Sequence, residues 1–197
     1  MRIALMTAAA GALALAACGT GGDAGAANDQ QVVPGEPVTN MQAEAVPAAV
    51  NAIEYANLVA ASDRFEIESA EIAIERADNE EVRELARMIL QDHRQSTERL
   101  RQAAAGAQIQ LPAEPRLSED QQRDLDALRG LSGADFDRTW TVQQVAAHEK
   151  AMGLVTGYLS TADNQAMADH ANSVAGPINQ HLIRARDLAK RLQEGGR

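Results

Sequence analysis

Four side chains carry most of the chemistry this chain offers: Glu66, His93, His148 and His181. The chain has four histidines in all. Three of them fall where helical periodicity demands an apolar residue. His93, inside the run Ile-Leu-Gln-Asp-His-Arg-Gln, is four residues after Ile89 and seven before Leu100. His148 lies in a stripe with Thr141, Val145, Met152, Val155 and Leu159, and His181 shares a face with Val174, Ile178, Ala185 and Leu188. Glu66 is seven residues from both Val59 and Ala73, two helical turns in each direction.

Neutral imidazole and carboxylate are ligands for zinc, iron, copper or manganese. Buried without a partner, either group is costly, so the four need a metal, water or one another. Asp92, Glu149 and Gln180 each adjoin one of these histidines and are candidates for supporting hydrogen bonds or a further oxygen ligand. A Glu and several His can equally form a metal-free polar layer, and the residues alone leave both readings open. His170 falls nearer a helix start and the edge of its face. Met88, Met152 and Met167 read as core filler.

Convergence of the four depends on the elements that carry them. From Asn51 onward the chain is rich in Ala, Glu, Leu, Arg and Gln, all strong helix formers. Periodicity and punctuation predict helices over 51–77, 80–105, 118–129, 134–161 and 164–193. Gly106, Pro112, Pro115, Gly130 and Gly133 mark the breaks, and Gly176-Pro177 predicts a kink rather than an end. Arg64, Glu68, Glu71 and Glu75 read as a solvated face. The expected fold class is all-α: a ferritin-like four-helix bundle of two helical hairpins joined by a long crossover containing a short helix. Counted from the two hairpin turns, Glu66, His93, His148 and His181 lie about 13, 14, 14 and 18 residues away, which places them near one level at 1.5 Å per residue.

Several function classes lose support. Net charge is −10, against a nucleic-acid partner. Aromatic residues make up only 3 %, too few for a base-stacking platform. There is no Gly-rich phosphate loop, and no Ser-His-Asp or Cys-His set can be argued from spacing.

The N-terminal stretch supplies an address. Arg2 precedes an Ala/Leu-rich segment too short to span a bilayer, the pattern of a signal peptide over residues 1–17. Leu15-Ala16-Ala17-Cys18 resembles a bacterial lipobox, and Cys18 is the only cysteine, so no disulfide forms within the chain. The expected partner is a lipid bilayer, entered by acyl chains on Cys18, with the protein in the cell envelope and facing the periplasm. Residues 18–50, rich in Gly, Ala, Asn, Gln and Pro, read as a flexible tether, and 51–197 as one domain.

Ser62-Asp63-Arg64-Phe65-Glu66-Ile67-Glu68-Ser69, Ala86-Arg87-Met88-Ile89-Leu90-Gln91-Asp92-His93, Gln108-Ile109-Gln110-Leu111-Pro112, the run 131–140, Ala146-Ala147-His148-Glu149-Lys150-Ala151 and the run 176–182 occur in that order. With these stretches the chain from Tyr55 to Leu192 resembles the exported bacterial family known as domain of unknown function 4142. The resemblance implies a ferritin-like bundle and singles out Glu66, His93, His148 and His181. It names no reaction. Di-iron bundles use Glu-x-x-His pairs; here Leu90, Val145 and Ile178 stand three residues before the histidines, so a di-iron centre is not expected.

Two functions follow. One is a membrane-anchored envelope protein binding a single transition-metal ion for storage, sensing or redox protection. The other is a non-catalytic structural or interaction module with a metal-free polar core. An enzyme has the least support. The lipobox reading makes a direct prediction: Cys18→Ser releases the protein from membranes, measured by fractionation, and a variant that still sediments with membranes refutes it.

Overall fold

The computed structural model describes residues 50–195. The leader, Cys18 and the tether up to residue 49 lie outside them. All regular structure among the described residues is helical: α1 (Ala52–Arg76), α2 (Glu80–Gly106), α3 (Glu119–Gly130), α4 (Gly133–Thr161) and α5 (Gln165–Glu194).

The helix starts are written in the sequence. Asn51 caps α1 by accepting from the Ile53 and Glu54 N–H groups, and Glu54 reaches back to the Asn51 N–H, a complete capping box. Asn79 caps α2 and Asn164 caps α5 in the same way on one side. Ser118 and Gln121 form a second capping box at α3. Gly133 opens α4 at φ +61°, a left-handed conformation that suits glycine. Helix α5 runs unbroken through Pro177.

The four long helices close a ring, with α1 against α2, α2 against α5, α5 against α4 and α4 against α1. Inside the ring the apolar core comes in two halves. One joins Tyr55, Val59, Leu100, Leu154, Tyr158, Met167 and Val174. The other joins Ala70, Ala73, Leu85, Ile89, Phe136, Trp140, Ala185 and Leu188. Between them, on all four helices, lies a buried polar layer: Asp63 and Glu66 on α1, His93 on α2, Gln144 and His148 on α4, and His181 on α5. The level expected from counting residues is therefore real.

Each end of the ring is tied by an aspartate, buried Asp137 at one end and exposed Asp163 at the other. Asp137 on α4 accepts from the Asn79 N–H in the α1–α2 turn at 3.0 Å. Asp163, in the α4–α5 turn, accepts from the Ala52 N–H at 2.9 Å and from the Tyr158 hydroxyl at 3.2 Å. Tyr158 in turn stacks on Tyr55, ring centroids 4.3 Å apart.

Two expectations need correction. His170 is not at an edge: it is buried, and its Nδ1 meets the Tyr55 hydroxyl at 3.0 Å. The tight α4–α5 turn brings the first turns of α5 against the start of α1, which a single-helix phase cannot reveal. Arg64 and Glu68 are not purely solvated either. They pair with each other, Arg64 Nη1 donates to the Pro115 carbonyl at 2.8 Å, and Glu68 also meets Arg129 of α3. They fasten the crossover to α1.

Asp163→Ala removes one acceptor from two donors on two elements. We expect a loss of about 1–3 kcal/mol in chemical denaturation, and a smaller loss for Asp163→Asn, which keeps an acceptor. Equal losses for the two variants contradict the hydrogen-bond account.

Candidate metal centre

His93 from α2, His148 from α4 and His181 from α5 bring one ring nitrogen each to within 4.8 Å of one another, and all three are buried. Their ring centroids form a near-equilateral triangle with sides of 5.7, 5.7 and 5.1 Å. Heptad-like placement of each histidine on an inward stripe explains the direction. The common distance from the hairpin turns explains the shared level.

The hydrogen bonds on the outer side of each ring fix which nitrogen faces inward. His148 Nδ1 lies 2.8 Å from the Gln144 carbonyl oxygen, which can only accept, so Nδ1 carries the proton and Nε2 keeps its lone pair. His93 Nδ1 lies 2.8 Å from Asp63 Oδ1, leaving Nε2, a buried atom with no hydrogen-bond partner. His181 Nε2 lies 2.9 Å from Asp92 Oδ2, leaving Nδ1. That Nδ1 stands 3.1 Å from His148 Nε2. With both outer nitrogens donating, two lone pairs face each other there unless a proton or a cation comes between them.

Carboxylates surround this triangle. Asp63 is held in turn by the Thr97 hydroxyl at 3.2 Å. Glu66 is 2 % exposed, with Oε1 3.9 Å from His148 Nδ1 and Oε2 buried without a partner. Burial pushes the Glu66 carboxyl up to about 7, against the pull of His93. For His93, burial disfavours the charged form, but the Asp63 hydrogen bond and the charges of Asp63, Glu66 and Asp92 outweigh it and raise the pKa. His148 is pushed down to about 3 by burial and by its two histidine neighbours. His181 is lowered by burial and by His93. The layer thus accommodates a single positive charge and keeps the other imidazoles neutral, the form that binds metal.

The structure brings His93, His148 and His181 together as the sequence predicts, and it places Glu66 beside them rather than among them. Glu66 approaches the outer nitrogen of His148, not the inward one. Asp92 does support a histidine, but it is His181 across the α2–α5 seam, not its neighbour His93. Glu149 and Gln180 are exposed, and Glu149 pairs with Arg186 at 2.7 Å. Neither touches the triad, because a residue next to an inward-facing one is rotated about 100° round the helix.

Asp63 is the residue that sequence reasoning missed. It lies four after Val59 and seven before Ala70, on the inward stripe, and that phase was the available signal. Ser69 was missed too. Its hydroxyl accepts from Trp140 Nε1 at 3.1 Å and from Gln144 Nε2 at 2.9 Å, holding the turn of α4 that presents His148.

The chain belongs to the family described as Domain of unknown function (DUF4142), whose pattern matches residues 37–188. No curated protein matches it. Among solved structures it is similar in fold to one described as "CopM in the Cu(II)-bound form", with a TM-score of 0.62 over 73 % of this chain and 98 % of that one, at 16 % sequence identity.

The raised Glu66 pKa gives a prediction for metal-free protein. A carboxyl near 4.5 unfolded and about 7 folded holds its proton more tightly in the fold. Stability therefore falls as pH rises through that window, by about 3 kcal/mol from this group. Glu66→Gln removes that contribution, so in the presence of a chelator the variant gains on the native chain between pH 5 and pH 8 in urea unfolding. Parallel pH profiles would contradict the assignment.

Proposed function

We propose that this chain is a ferritin-like four-helix bundle that binds one transition-metal ion through His93 Nε2, His148 Nε2 and His181 Nδ1, and that acyl chains on Cys18 hold it at a membrane of the cell envelope. The observation that carries the metal reading is the set of three inward ring nitrogens, each ring oriented by an oxygen on its outer side. This is the arrangement by which carboxylates and carbonyls orient metal-binding histidines. A metal-free network can use the short His148–His181 approach, but it leaves His93 Nε2 buried without a partner.

The donor set narrows the metal. Three imidazoles, with Glu66 set back, favour copper or zinc over manganese, which prefers oxygen. Copper heads the affinity order for divalent ions at nitrogen sites, and a Cu(II)-bound protein shares the fold. Metal–nitrogen bonds of about 2.0–2.1 Å require ligand nitrogens roughly 3.4 Å apart in a tetrahedral site, so the triad closes on an ion with small side-chain movements. The ring of helices and its surrounding carboxylates suit capture and holding of the ion in the envelope.

Chelated, desalted protein titrated with Cu(II) or Zn(II) is expected to take up one equivalent by elemental analysis. At a hundred-fold excess over Kd the melting temperature should rise by roughly 5–10 °C. His93→Ala and His181→Ala each abolish stoichiometric uptake while retaining helical circular dichroism. Asp63→Asn weakens binding about 10–100-fold with the ligands intact. Sub-stoichiometric metal in native protein and all variants alike sinks the proposal.

A further inference from the structure

A cleft of about 40 Å³ reaches the triad, with most of its walls supplied by α2 and α5 and the rest by α1 and α4. Its walls include His93 and His181, but neither His148 nor Glu66. The cleft therefore meets the triangle of imidazoles on one side only. That volume accommodates on the order of two or three water-sized centres, and Ser96, Asp63 and Asp92 on its walls are polar enough to hold them. Pro177 and Gln95 lie toward the outside.

Three imidazoles make three of the four bonds of a tetrahedral centre. Among the described residues no fourth histidine or acid joins the triad at the same reach. His93 Nε2, 6 % exposed as a residue and without a hydrogen-bond partner, is on a wall of this cleft. Arg99, one helical turn beyond Ser96, also lines the cleft and has no ion-pair partner among the described residues. On a cleft wall that also carries Asp63 and Asp92, the Arg99 guanidinium is the one group that attracts a small anion.

We infer that this cleft gives a trihistidine-bound metal an exchangeable fourth position, which takes water or a small monodentate anion guided by Arg99. This rests on the metal reading above and adds to it a ligand class, a route and two further residues. A closed storage site would surround its ion with protein donors. A site of this kind admits an outside ligand to the metal while the three histidines stay bound.

The test uses Cu(II)-loaded full-length protein titrated with azide, followed by visible absorption and electron paramagnetic resonance. The expected result is a saturable one-to-one azide-to-copper band with copper retained on the protein after desalting. Ala151→Leu, which adds bulk to a half-buried wall of the cleft, should weaken azide binding ten-fold or more at unchanged copper stoichiometry. Arg99→Gln should weaken it about three- to ten-fold, and the deficit should shrink at high ionic strength. Retained copper with a spectrum that azide does not alter overturns the exchangeable position and leaves the metal reading standing. Azide binding that neither variant weakens overturns the cleft as its route, as does azide that strips the copper. A chain that takes up no copper overturns both readings.

Discussion

The centre of this protein depends on hydrogen bonds that point away from it. A histidine can offer a lone pair inward only if its other nitrogen has a fixed acceptor, and each of the three imidazoles has one: Asp63 for His93, the Gln144 carbonyl for His148, Asp92 for His181. Remove an acceptor and the ring is free to turn or to change tautomer, and the convergence is lost. The acceptors come from α1, α4 and α2 respectively. Every ring is thus oriented by an element whose own position is set by core packing.

That dependence explains the layout of the core. A polar layer in mid-bundle interrupts apolar contact, and the interruption is tolerated because the core is complete on either side of it. Trp140 and Phe136 fill one half, and the stacked Tyr55 and Tyr158 fill the other. Trp140 links core and layer directly, since its indole N–H donates to Ser69, which also receives Gln144. Glu66, like His93 and Gln144, keeps one buried atom without a partner, and its raised pKa is the electrostatic expression of that burial.

Much of this was legible in the sequence. Asn, Ser and Gly at the helix boundaries mark the ends to within a residue or two, and the inward direction of His93, His148 and His181 follows from their apolar neighbours at three, four and seven residues. Pairing across helices was not legible. Asp92 reaches His181 rather than His93 because the α2–α5 seam sets its neighbour, and no intrahelical spacing encodes that seam. Asp63 carried the right phase but sits between Ser62 and Arg64, where a charged residue reads as surface. Glu66 had the right face and nearly the right level. It stands three residues, about one turn, from Asp63, the acid of α1 that meets the triad, and a one-turn offset lies within the error of counting from a hairpin turn.

The division of ligands among helices has a mechanical meaning. His93 belongs to the first hairpin, and His148 and His181 belong to the second, with the whole crossover and α3 between positions 93 and 148. Each hairpin can form from local contacts, but the triangle exists only when the two have docked. The proposed ion, held by all three rings, would be a reversible cross-link between halves of the chain that are distant in sequence, closing a long loop without a covalent bond. In a chain whose single cysteine cannot form an internal disulfide, the proposed occupancy of the centre would make ion binding and docking of the hairpins one equilibrium. Tension applied between the hairpins would weaken the grip on the ion, and loss of the ion would loosen the seam.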